Sequence, residues 1–217
     1  MGTRMKKYLV QATLNILKSE GIDSIKIRRI AKDVGCTSTV IYKHFEDLEH
    51  LIAFAAIRIL KDYIQDFREL MSNGNLSIME IYLCSWEHFA HYAFENIHIF
   101  ELLFFGKYKK DIGDIILDYF HLFNDEVETK DFDALSASVL FSGDLRERSK
   151  ILLRRAAAVG ELSFGDVSML SDMLASLFHG ILLEYKDKYR EPGMAQEGTE
   201  KFLNMLYSIA DKYRLDP

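Results

Sequence analysis

Residues 25–45, IKIRRIAKDVGCTSTVIYKHF, carry the pattern that most narrows what this chain can build. Ile27, Ile30, Ala31 and Val34 recur at i, i+3, i+4 and i+7, so they share one face of a helix. Lys26, Arg28, Arg29 and Lys32 fall largely on the opposite, solvated side. Gly35 follows directly, and a glycine just past the last periodic residue is a common helix stop. Thr37 then stands where an N-cap belongs, its hydroxyl able to accept from an amide two or three residues on. A second short helix is expected from Ser38 to Phe45. Ile41 and Phe45, four apart, would pack back on the first helix, leaving Ser38, Thr39, Tyr42 and Lys43 facing out.

A helix, a tight turn and a second helix of this size have the layout of a DNA-binding helix-turn-helix. Hydroxyls, a phenol and an ammonium on the outward face suit phosphate oxygens and base edges. Upstream, Leu9, Ala12, Thr13, Ile16 and Leu17 stripe a helix that ends near Gly21, and Asp23 or Ser24 can cap the next one. The first 46 residues thus read as a three-helix unit, too small to be very stable alone. A fourth helix, capped by Asp47 and running to about residue 70, would support it.

Over about 50 residues this pattern resembles the TetR family of bacterial transcriptional regulators. The matching positions are Gly21, Ile30, Ala31, Val34, Gly35, Thr37, Tyr42, His44, Phe45, Glu49 and Leu51. Three positions depart from the family's habit. Ile25 and Lys26 stand where a threonine or serine often holds a phosphate. Leu48 stands where a lysine often does, and Thr39 where glycine is common. The resemblance implies an all-α protein: a helix-turn-helix domain at 1–46, then a helical effector-binding and dimerisation domain at 47–217. Lys26, Arg28, Lys43 and His44 would hold the phosphate backbone. Ser38, Thr39 and Val40 would approach base edges, Tyr42 can serve either role, and Thr37 counts with them among the DNA-binding residues.

Charge supports the same division. Residues 1–45 hold nine Lys or Arg against three Asp or Glu, a net +6, while the whole chain is −6. A basic head on an acidic body is the footprint of a nucleic-acid reader whose remaining surface repels DNA. The apolar stretches LIAFAAIRIL and MLASLFHGILL read as too short to span a bilayer. The N-terminus lacks a signal-peptide core. Cys36 and Cys84 make no disulfide framework, and Cys36 is expected as an inert thiol in the turn. A cytoplasmic protein is the expectation. No phosphate loop, nucleophile elbow or set-off carboxylate pair suggests an enzyme. His88 and His91, three apart, can share a metal, but nothing joins them, so no metal or cofactor is expected.

Past residue 70, SNGN at 72–75 and EPGMAQEG at 191–198 read as loops. Helices are expected from about Ser77 to Phe94, over IHIFELLFF, DIGDIILDYFHLF and RERSKILLRRAAAVGEL, and over the two long closing segments; 129–146 is ambiguous. In the closing segments Met169, Met173, Leu174, Leu177, Phe178, Ile181 and Leu182 cover more than one face of the first helix, and Leu203, Leu206, Tyr207 and Ala210 stripe the second. They are either interior to a monomer or paired with the same helices of a second copy. The resemblance favours a homodimer, as does reading two half-sites in successive major grooves. The central segments are rich in large rings, which are mostly core. The resemblance implies a small-molecule effector among them, in a largely apolar cavity. The residues expected to touch it are Trp86, Phe89, His91, Tyr92, Phe104, Tyr119 and His179. Two functions remain open: a regulator, most readily a repressor, released from a palindromic operator on double-stranded DNA by that effector, or a DNA-bound scaffold that recruits a protein partner.

Overall fold

The computed structural model describes residues 2–123 and 133–213, and among these every regular element is helical. The head comprises α1 (Gly2–Glu20), a 3-10 turn at Ile22–Ser24, α2 (Ile27–Val34) and α3 (Ser38–Ile41). Residue Gly35 ends α2 in the left-handed region, at φ 74° and ψ 36°. There the Cys36 amide donates to Ala31 O at 2.8 Å, closing the last turn as a glycine C-cap does. Leu9, Ile30, Ile41 and Phe45 are all buried; α2 packs on α1, and α3 packs on α2.

The sequence places one cap of the motif and misplaces the other. Thr37 is the N-cap of α3 in extended backbone, but its side chain accepts no capping hydrogen bond. The N-cap of α2 is Lys26, which also makes none. Ser24 is spent elsewhere, donating to Glu20 O at 3.3 Å, and Asp23 lies within the 3-10 turn.

Asp47 does cap the fourth helix, accepting from the His50 amide at 2.8 Å. That helix is not one rod to residue 70. It divides into α4 (Leu48–Ala56) and α5 (Lys61–Met71). Between them Arg58, Ile59 and Leu60 donate to Ala55, Ala56 and Ile57, three residues back rather than four. Since α1 packs along α4, the head's core runs on to Ala56.

The body follows as α6 (Ile78–Glu95), α7 (Ile97–Phe105), α8 (Ile112–Leu122), α9 (Ala134–Leu140), α10 (Leu145–Ala158), α11 (Val167–Tyr185) and α12 (Met194–Tyr213). Of the ambiguous stretch, residues 129–132 lie outside the described residues. Central α6 packs against α5, α10, α11 and α12. Its start is fixed by a capping box between Ser77 and Glu80. The Glu161 carboxylate adds to this by accepting from the Ile78 and Met79 amides at 3.3 and 2.6 Å. The expected loop at 191–198 is half helix, because α12 begins at Met194, directly after Gly193 at φ 86°.

One length expectation also changes. With its flanking turns, α11 forms the stretch Phe164–Lys188, long and apolar enough to cross a membrane by length and composition alone. In the fold Leu170, Leu174, Phe178 and Leu182 are each at most 2% exposed, packed between α6, α10 and α12. This is a core helix.

Candidate nucleic-acid interface

The outward face of α3 and the turn after it is a cluster of side chains with nothing to hold them. Thr37, Thr39, Tyr42 and Lys43 are exposed, Tyr42 at 55%. Ser38 and Val40 are half-buried on the same short element. Lys26 and Arg28 stand exposed at the start of α2. His44 is half-buried, its ring near the backbone of Gly2 at the start of α1. The first eight cluster on α2, α3 and their flanks; His44 leans toward α1.

The basic side chains of the head are not equivalent. Arg29 forms a two-pronged pair with Glu20, with contacts of 2.7 and 2.5 Å, and has Asp33 at 3.9 Å. A guanidinium held that way is taken out of reach of a phosphate. Lys6 points inward, its Nζ 4.1 Å from the centre of the Phe54 ring; burial lowers its pKa, against a raising pull from Asp118. By contrast Lys26, Arg28 and Lys43 have no ion-pair partner among the described residues.

The head is joined to the body at a second place besides the chain itself. After α7, residues 106–108 lie against the start of α4. Lys107 Nζ pairs with the Asp47 carboxylate at 2.6 Å, and its amide donates to Glu49 Oε1 at 3.1 Å. Tyr108 donates to Glu46 Oε2 at 3.1 Å and stacks on His50, ring centres 4.9 Å apart. Asp47→Ala is expected to cost about 1 kcal/mol, nearly all from the lost cap, since an exposed ion pair adds little. Chemical denaturation would check this; Lys107→Ala should cost clearly less.

In the body the expected effector residues separate. Trp86 and Phe89 line a cavity of about 30 Å³ between α5, α6 and α10. Phe104 packs on Phe89, ring centres 4.9 Å apart. The other four lie elsewhere. The His91 side chain is 66% exposed beside Glu95. Tyr92 donates to Asp66 at 2.7 Å. Tyr119 stacks with Phe123 near the head, and His179 lies flat on Phe105, 3.7 Å between ring centres. The cavity's polar wall is one the sequence reading did not name: Tyr63, Tyr82, Arg148 and Ser149. Tyr82 and Ser149 satisfy each other at 2.7 Å, and burial pushes the Tyr82 phenol up to about 12. Among the described residues no group of three or more metal-ligating side chains exists.

Comparison with known proteins adds the following. No family model matches the chain. An HTH-type transcriptional regulator of Staphylococcus aureus strain USA300 is 29% identical over 70 residues, 31% of this chain and 38% of that protein. A second, from the bovine strain RF122, is 26% identical over 81 residues, 37% of this chain and 43% of that protein. The chain thus spans about two fifths of the length of the curated relatives it matches. Among solved structures, the TetR family transcriptional regulator PfmR from Thermus thermophilus superposes with a TM-score of 0.50 at 15% identity, covering 91% of this chain and 95% of that one. A TetR-family regulator from Rhodococcus sp. gives 0.50 at 15% identity, covering 97% and 100%. The agreement extends over the body as well as the head. By sequence pattern, element order and superposition, this chain has the TetR-family fold.

Proposed function

We propose that this protein is a dimeric, sequence-specific DNA-binding transcriptional regulator, and a repressor released by a small effector. The observation that carries the DNA-binding part is the face of α3. A soluble domain seldom leaves a phenol, two hydroxyls and an ammonium clustered on one short helix without internal partners. Lys26, Arg28, Lys43 and His44 bind the phosphate backbone in this reading. Ser38, Thr39 and Val40 approach base edges, Val40 through a thymine methyl, Tyr42 contacts either, and Thr37 lies beside them at the DNA surface.

A homodimer through α11 and α12 accounts for apolar side chains left in the open. Met169, Leu183, Met205 and Tyr207 are 38–45% exposed on these two helices. A paired four-helix interface would cover them and set two heads roughly 34 Å apart, one per major groove. Effector control needs only a ligand that favours one head spacing over another. The clamp of residues 106–108 on α4 gives the body a direct hold on the head.

Selection of binding sites from random duplex DNA tests this reading. A palindromic consensus is expected; salt-sensitive binding without a consensus would sink it. On the selected site, Tyr42→Ala is expected to weaken binding by roughly 1–3 kcal/mol, at least fivefold, with the helical content unchanged. Unaltered affinity in a gel-shift titration would remove Tyr42 from the interface.

A further inference from the structure

Arg148 is charged, central and uncompensated. It sits on α10 facing inward and is 6% exposed. No carboxylate lies within ion-pair distance among the described residues. One terminal nitrogen donates to the Tyr63 hydroxyl at 2.5 Å. The other, Nη1, is buried with no hydrogen-bond partner. The rest of its surroundings are aromatic: the guanidinium carbon is 5.3 Å from the Phe89 ring centre and 5.2 Å from that of Phe104. Rings of this kind offset part of the desolvation of a cation but supply no negative charge. The Tyr63 phenol is no counter-ion either; full burial raises its pKa even beside the guanidinium, so it stays neutral.

Burying an arginine in this way is unfavourable unless something pairs with it. Where a fold keeps such a group at the wall of a cavity, the missing partner is a ligand. We infer that the body binds a small organic carboxylate, its head paired with Arg148 and its apolar part among Phe67, Trp86 and Phe89. A planar guanidinium with one free arm suits a carboxylate, and the aromatic walls ask for a hydrocarbon body rather than an inorganic anion. The cavity of about 30 Å³ holds no more than a water or two as it stands. Entry of the acid therefore pushes α6 and α10 apart, and Trp86 lies in the wall that moves. This inference deepens the effector reading proposed above and rests on it for its biological sense, but the binding itself can be tested without DNA.

The test is thermal unfolding and Trp86 fluorescence of the full chain with hexanoate or benzoate, beside the matched alcohols and inorganic phosphate. The acids are expected to raise Tm by several degrees and to change the emission, where alcohols and phosphate do not. Arg148→Met should abolish the response while leaving the unliganded protein as stable as the parent or more so, because the lone charge is gone. Arg148→Lys keeps a charge without the planar fork, and should bind the acid about tenfold more weakly. It serves as the variant of record if Arg148→Met does not fold. Equal responses to acid and alcohol, an acid response that survives in Arg148→Met, or an undiminished one in Arg148→Lys, would overturn the site. So would an unliganded Arg148→Met that folds but is clearly less stable. If the acids bind through Arg148 yet leave operator affinity unchanged, the site stands and the effector reading above is what fails.

Discussion

Gly143→Ala is expected to destabilise the protein by about 3 kcal/mol or more. A β-carbon built on Gly143 would lie 1.5 Å from the Lys109 carbonyl oxygen and 2.6 Å from the Ile112 side chain. No rotamer relieves this, because the opposing atoms are backbone and a fully buried isoleucine. The neighbourhood cannot retreat either. Gly113, one turn along, is itself packed so that its β-carbon would lie 2.3 Å from the Phe141 carbonyl. Two glycines thus let the start of α8 lie directly on the chain entering α10. The effect should appear as a lower urea midpoint at unchanged m-value, at fixed protein concentration. Gly74→Ala is the control: nothing lies within 4 Å of its added carbon, and the midpoint should stay put. A Gly143→Ala protein as stable as the parent would mean that α8 and α10 do not meet as described.

Phe178→Ala comes next, with an expected loss of about 3–5 kcal/mol. Phe178 is 0% exposed. Its ring lies 5.5 Å from Trp86, 5.2 Å from Phe89 and 5.2 Å from Phe202, so it joins α11 to α6 and α12 at one point. Such ring pairs add to area burial, and a void among rigid rings collapses poorly. Trp86 emission should shift in the native state, since its neighbour is removed. A loss under about 1 kcal/mol would show that the site refills, and that this cluster is looser than its geometry suggests.

The head was readable from sequence because its signals are local. Gly35 marks a turn only glycine enters easily, and Ile30, Ala31 and Ile41 report their burial through spacing. The division between α4 and α5 was not readable. Residues 57–60, IRIL, contain neither glycine nor proline, and Ile57 and Leu60 are buried like the helices on either side, so nothing local marks the break. Ring-rich composition correctly marked a crowded body but could not say which rings face one another. Hence Tyr119 and His179 were grouped with Trp86, from which the fold separates them. Arg148 was legible in principle. Leu145, Arg148, Ser149, Leu152 and Ala156 form the apolar stripe of α10, and an arginine in that stripe is the anomaly to notice. Arg146, Arg154 and Arg155 nearby hid it, because one charge among several looks like surface.

The pairing of Arg29 with Glu20 bears on how the protein would respond to electrolyte. Formal charge treats all nine basic residues of the head alike, yet counterions are released only where a phosphate is actually neutralised. Were every basic residue of two heads to reach a phosphate, the logarithm of the binding constant would fall with the logarithm of salt at a slope of about −16. On the reading proposed above, with Arg29 already neutralised, Lys6 turned inward and Lys26, Arg28 and Lys43 taken as the cationic phosphate contacts of each head, the slope would be nearer about −5. Such a protein would leave DNA gradually as ionic strength rises. Its grip would then depend on the fit of α3 in the groove more than on total charge.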